Sequence, residues 1–326
     1  MERGLILKLV FLLCCLFCFA IRAEAKSTLA YTHYTHGVEL AARKNYSEAA
    51  VQFRQAIDLN PNYIAAYIEC ARSLVMLGKR KDGLTVLSSA VKVTKHKEEL
   101  EHLAKERASL SQIFYTNGTF QQYQNGLNYL RLDRANSAQE SFEKAYVVEP
   151  DNVLILLGYS QALEAEDNQK LRIEFLEKAY ELDDSNRDTR VQLADAVLAK
   201  NPERAMALVK NLVLARNPTE EAALLYTRAL SALKRDKEAI DVLTDCREKN
   251  SDWVLADFWL GKFNAAVPGG NWAARKYLMT FQKRADSLLH SAGEDGAEKL
   301  APSVRSLKSL KIEADALLTQ VNKALE

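Results

Sequence analysis

An all-α fold built from repeated helix–turn–helix units is predicted by three features of this 326-residue chain. Apolar residues recur at helical spacing along its length, and no stretch alternates apolar and polar residues as a half-buried strand would. Hydrophobic residues make up 48% of the composition against only 12 glycines and 6 prolines, which suits packed helices and argues against disorder. Residues 119–152 place small and aromatic side chains at offsets that recur elsewhere: Gly126, Tyr129, Ala138, Phe142, Ala145 and Pro150. Gly126 and Ala138 let two helices approach closely, Tyr129 and Phe142 fill the space around that contact, and Pro150 stops the second helix because it lacks an N–H.

The first 25 residues stand apart. Arg3 and Lys8 precede an apolar run from Leu9 to Ile21, followed by Ala23-Glu24-Ala25, which reads as a secretory signal cleaved after Ala25. A retained signal anchor is the alternative, although the run is short for a span of roughly 20 residues. Cys14, Cys15 and Cys18 lie inside this run without the small preceding residues of a lipid-attachment site. Loss of Arg3, Lys8 and Arg22 against Glu2 and Glu24 takes the chain from 44 basic and 43 acidic residues to 41 of each. A neutral chain without a basic stripe excludes nucleic acid as an expected partner.

A first unit, residues 30–62, carries Gly37, Leu40, Ala49, Phe53, Ala56 and Pro61 at the recurring offsets, with Ser47 placed to cap its second helix. Residues 64–97 follow with Tyr67, Ala71, Leu74, Gly78, Leu87 and Ala90; Gly83 replaces the expected alanine, so a weaker second helix is expected. Residues 98–118 break the period as one amphipathic helix marked by Leu100, Leu103, Leu110 and Phe114. After the unit at 119–152, four more run to 285: Val153 to Asn186, with Arg172 where alanine is usual; Arg187 to Pro218, with Asn201-Pro202 at its turn; Glu220 to Lys249; and Val254 to Ala285, with Gly261, Ala273 and Tyr277 in frame. Residues 286–302 read as a polar linker. From 303 to 326 an apolar stripe of Leu307, Leu310, Ala314, Leu317, Leu318 and Val321 predicts a helix that caps the end of the array, with a coiled-coil or partner-binding helix as the other reading. Cys70 and Cys246 fall at small core positions, too far apart to bridge, and read as inert thiols.

The recurring pattern resembles the tetratricopeptide repeat, a 34-residue helix–turn–helix unit that stacks into an α-solenoid, over residues 30–97 and 119–285. That resemblance implies a concave groove lined by the first helix of each unit and filled by a peptide or helix of a partner. The matching positions are Tyr34, Ile68, Tyr123, Leu127, Leu157, Gln161, Val191 and Leu224. The lysine and asparagine by which some members of the family clamp a terminal carboxylate are replaced by Tyr34 and Val38 in the first unit, which argues against a chaperone-tail adaptor.

Catalytic and metal signatures are weak. His33 and His36 share a helical face without a third ligand, no glycine-rich phosphate loop opens a helix, and neither a serine elbow nor a paired CxxC occurs. The expectation is therefore a non-enzymatic binding scaffold without cofactor or metal, exported to the periplasm or cell envelope, with a protein partner and membrane attachment only if the signal is kept. An accessory subunit of an envelope enzyme, or a homo-oligomeric structural protein joined through the terminal helix, are the alternatives.

Overall fold

A computed structural model describes residues 26–165, 168–291 and 302–326. The expected signal at 1–25 and most of the expected linker, 292–301, lie outside them. The described chain is helical, with no strand among these residues. Helix α1 covers 26–42. It is followed by α2 (Tyr46–Leu59), α3 (Ile64–Met76), α4 (Arg80–Val93), α5 (Lys97–Gln112), α6 (Asn117–Arg131), α7 (Ala135–Val148), α8 (Val153–Ala165) and α9 (Gln169–Leu182). Then come α10 (Arg187–Leu198), α11 (Pro202–Val213), α12 (Glu220–Ala232), α13 (Asp236–Lys249), α14 (Val254–Ala266), α15 (Asn271–Ser291) and α16 (Pro302–Leu325).

In five of the units the internal turn is set by one residue in the left-handed region. Lys44, Gly78, Asp133 and Lys234 have φ of 61°, 75°, 59° and 62°, each two residues before the second helix of its pair and seven after the small residue of the first, Gly37, Ala71, Gly126 or Thr227. In the last unit this residue is Gly269, eight after Gly261. The turn Val267-Pro268-Gly269-Gly270 is one residue longer, so the core frame slips. Ala274 and Leu278 are fully buried in place of the expected Ala273 and Tyr277.

Capping also differs from expectation at α2. The helix starts one residue before Ser47, and Asn45 takes the cap position, its side-chain amide donating to Glu48 at 2.7 Å. At α11 the expected pair acts as read: the Asn201 oxygen accepts from the N–H of Arg204 and Pro202 opens the helix without losing a bond. Helix α4 runs its full 14 residues despite Gly83. A Cβ there would stand 2.8 Å from the Ala71 carbonyl oxygen, so close helix contact requires the glycine.

Cα packing divides the described chain into two units. One holds 26–119, Val148–Leu154 and Glu181–Ser185. In it Ala49, Ala50, Phe53, Cys70 and Leu74 form a core, and α5 packs on α3 and α4, where a further first helix would sit. The same unit contains a buried polar network. The fully buried Arg80 donates to Glu149 at 3.0 Å, to Asp151 at 2.5 Å and to the Ile113 carbonyl, with its guanidinium 4.3 Å from the Tyr115 ring. Glu149 also accepts from the N–H of Tyr115 at 2.8 Å, and Asn152 donates to the Ile113 carbonyl at 3.1 Å. On α5, Arg107 pairs with Asp184 at 2.7 Å and donates to Ser88. Burial pushes the Tyr115 phenol up to about 12.

The other unit holds Phe120–Val147, Ile155–Tyr180 and Asn186–Glu326. Successive helices from α10 to α16 pack on one another, and α12 touches the first helices α10 and α14 on either side. Asp257, fully buried on α14, binds Arg247 of α13 at 2.9 Å and Arg284 of α15 at 2.7 Å. Helix α15 continues through Ser291, so residues 286–291 are helical where a linker was expected; no glycine or proline interrupts them. The stripe of α16 buries Leu307, Ala314 and Leu318 against Phe258, Leu278, Phe281 and Ala285. That contact makes α16 a cap on its own chain and leaves no free coiled-coil seam on that face. Cys70 and Cys246 are free, buried thiols whose pKa values are raised by burial.

Candidate functional site on the first helices

The first helices α10, α12 and α14 line a cavity of about 440 Å³ whose wall includes Asp195, Leu198, Arg228, Trp259, Lys262 and Phe263. The half-buried Trp259 ring is part of that wall. The Arg228 guanidinium lies 5.1 Å from the ring centroid and the Lys262 ammonium 5.0 Å, so two cations flank one indole. Phe263 supports the ring at 5.7 Å. Each cation has a carboxylate at hand: Arg228 stands 3.7 Å from Asp195, and Lys262 stands 2.5 Å from Glu313 of α16. These pairs are more than a third exposed on their side chains and hold little energy against water, so a ligand carboxylate can exchange with them.

Beneath this surface lies Arg172, the residue that stands where alanine is usual. It is 3% exposed and pairs with Glu164 at 3.1 Å and Asp195 at 3.2 Å. Burial raises the Glu164 pKa, partly offset by Arg172. The cavity wall is thus fixed from below by a buried guanidinium that fastens Asp195.

The eight positions named from the repeat pattern divide by exposure. Ile68, Leu157, Val191 and Leu224 are 4–6% exposed, buried in interhelical packing. A first helix flanked by neighbours on both sides turns these side chains inward. Tyr34 is half-buried, its ring 4.8 Å from Tyr63 and 5.8 Å from Phe53. Tyr123 is half-buried 6.0 Å from Phe142, with its phenol pKa raised by burial and then by Asp188. Leu127 is half-buried and Gln161 exposed. None of the eight is in the cavity wall.

A positional signal for the missed residues was present. Leu127 and Gln161 directly follow Gly126 and Ser160, the small residues of their units; Asp195, Arg228 and Lys262 directly follow Ala194, Thr227 and Gly261. The same column therefore continues through three further units. Of the two histidines, His33 lies 2.8 Å from Gln52 and His36 is exposed; no cluster of three potential metal ligands occurs among the described residues.

Residues 40–104 match the tetratricopeptide repeat family. That segment is a tetratricopeptide-repeat segment. The match spans α2 to α4 and part of α5, and the pairs α6–α7 and α12–α13 repeat the same turn. Solved structures similar to this chain include a MamA RS-1 double mutant, with 13% identity over 54% of this chain and 98% of that one and a TM-score of 0.47. PilF of Pseudomonas aeruginosa is similar at 13% identity over 74% and 100%, with a TM-score of 0.37, and a tetratricopeptide repeat protein from Parabacteroides merdae at 15% over 72% and 98%, also 0.37. No match was found among curated proteins. The tetratricopeptide-repeat fold implies a scaffold for protein–protein interaction and protein partners; proteins of this kind are typically non-catalytic.

Proposed function

We propose that the protein is a non-enzymatic, exported scaffold that holds an extended or helical segment of a cell-envelope protein against the first helices of its repeats. The observation that carries this reading is the Trp259 cavity. A half-buried aromatic ring between two cations offers contact area with little rotamer entropy to lose, and the cations add orientation. Tyr123, Leu127 and Gln161 extend the accessible surface on the earlier first helices α6 and α8, and Tyr34 is the accessible candidate on α1. Export rests on the apolar run at Leu9–Ile21 and the Ala23-Glu24-Ala25 site.

The test is affinity capture from the host with the wild type, Lys262→Glu, Trp259→Ala, Tyr123→Ala and Phe142→Ala side by side, each with a thermal melt. Groove substitutions are expected to lower partner affinity by about thirtyfold or more at an anchor, with little change in melting. Phe142→Ala is the control: it lowers the melting temperature and affects capture only through unfolding. Capture that is indifferent to Trp259, Lys262 and Tyr123 in folded variants overturns the groove reading. Intact mass of the native protein checks export, with Lys26 expected at the amino terminus.

A further inference from the structure

The outer face of α15 has a composition that the protein-binding reading does not use. From Asn271 to Ala285 the helix carries Arg275, Lys276, Lys283 and Arg284 and no acidic residue. One face is internal, with Ala274, Leu278, Phe281 and Ala285 fully buried. On the opposite face Trp272 is 67% exposed and Met279 53% exposed, with Lys276 and Lys283 exposed between and beyond them. These four residues are spaced i, i+4, i+7 and i+11, which aligns them along roughly 16 Å of one helix surface. The Arg275 guanidinium lies 5.8 Å from the Trp272 ring, at the edge of the same stripe. Of the other basic residue, Arg284, the charge is already used by Asp257. Lys276 and Lys283 form no ion pair among the described residues.

An exposed tryptophan and methionine alternating with lysines is a costly surface in water and a favourable one where hydrocarbon and negative charge meet. Indole and thioether side chains enter the interfacial layer, while lysine stems lie along apolar surface and carry their ammonium groups to phosphates. The stripe is a ridge on a single helix rather than a cleft, so it matches a flat surface better than an extended peptide. No helix among the described residues is long and apolar enough to cross a membrane, so contact at this face is interfacial.

We propose that the Trp272–Lys276–Met279–Lys283 face of α15 docks peripherally on an anionic lipid bilayer. Trp272 and Met279 insert at the level of the headgroups, and Lys276, Lys283 and Arg275 pair with lipid phosphates. The cavity residues belong to α10, α12 and α14, so this surface stands or falls separately from the groove.

The test uses the full chain with Trp253→Phe and Trp259→Phe, which leaves Trp272 as the only tryptophan, mixed with vesicles of phosphatidylcholine alone or with about one-third phosphatidylglycerol. The expected result is a blue shift of Trp272 emission and quenching by brominated lipid on anionic vesicles only, weakening with added salt. Flotation of the otherwise unsubstituted chain gives a second readout that does not depend on the two phenylalanines. There Lys276→Gln/Lys283→Gln lowers the anionic contribution to the partition coefficient by about thirtyfold, fivefold or so for each lysine. Trp272 emission unchanged on anionic vesicles, or an equal shift on neutral ones, overturns the proposal. A shift on soluble polyglutamate without one on vesicles also overturns it, because the face then recognises an acidic protein surface.

Discussion

Phe142 and Gly158 touch so closely that a Cβ on Gly158 would stand 2.5 Å from the Phe142 ring. Gly126 approaches the same ring from α6, where a Cβ would stand 2.6 Å away. One fully buried phenylalanine is therefore clasped between the first helices of two consecutive units. Gly158→Ala must displace either the ring or the helix and is expected to cost about 1–3 kcal/mol. Phe142→Ala opens a cavity and is expected to cost about 3–5 kcal/mol. In a double-mutant cycle followed by urea unfolding, the two losses should combine to less than their sum, since the smaller side chain removes the clash. Additive losses would mean that the helices separate instead.

The buried guanidinium of Arg80 makes a second prediction. Arg80→Ala leaves the Glu149 carboxylate, itself 1% exposed, without its cation, and is expected to destabilise by about 3–5 kcal/mol. Tyr115→Phe should behave in the opposite sense. The Tyr115 hydroxyl is buried beside the Arg80 backbone without a hydrogen bond of full geometry, while its ring lies over the Arg80 guanidinium and is kept by phenylalanine. The substitution is expected to be neutral or to stabilise by up to about 1–3 kcal/mol. Urea unfolding of both variants checks the pair.

Glu220 carries a pH prediction. Burial raises its pKa, although its carboxylate accepts from the N–H of Ala256 at 2.8 Å and so caps α14 from the start of α12. A raised folded value means that the folded chain keeps a proton which the unfolded chain has released. The resulting stabilisation is full below the unfolded pKa and is lost as pH rises through the folded one. Glu220→Gln keeps the acceptor and has no charge to bury, so its melting temperature should exceed that of the wild type near pH 7, with the gap closing towards about pH 4. Glu220→Ala loses the cap and should cost about 0.5–2 kcal/mol near neutrality. A gap that widens on acidification would contradict this assignment.

The left-handed turn residues give a fourth prediction. Lys234 holds φ of 62° with a full side chain, a conformation that glycine adopts without strain. Lys234→Gly is expected to stabilise by roughly 0.5–1 kcal/mol, and Gly78→Ala at the equivalent turn to destabilise by a similar amount. Paired thermal melts decide it.

The repeat frame was legible because each unit carries its own determinants. Ala49, Phe53 and Ala56, or Ala138, Phe142 and Ala145, lie on one helix face and are all fully buried. The frame failed where the determinant was a count of turn residues: the extra residue before Gly269 moved the core from Ala273 and Tyr277 to Ala274 and Leu278. The column of residues after the small position was read at Leu127 and Gln161 but not followed to Asp195, Arg228 and Lys262, because the change from apolar to charged hides its continuity.

Sequence by itself determined the all-α class, the helix pairs, the single helix at α5 and the amphipathic cap at α16, since helical periodicity and local turn chemistry act within a few tens of residues. Only the tertiary structure decided which first-helix side chains are accessible. Ile68, Leu157, Val191 and Leu224 share a pattern with Tyr34, Tyr123 and Leu127, but exposure depends on the neighbouring helices on both sides. Nor could spacing join Arg80 to Glu149, Arg172 to Asp195, or Lys262 to Glu313. Those charges meet across 69, 23 and 51 residues of chain, and their partners are fixed by the packing of helices rather than by any local preference of the residues themselves.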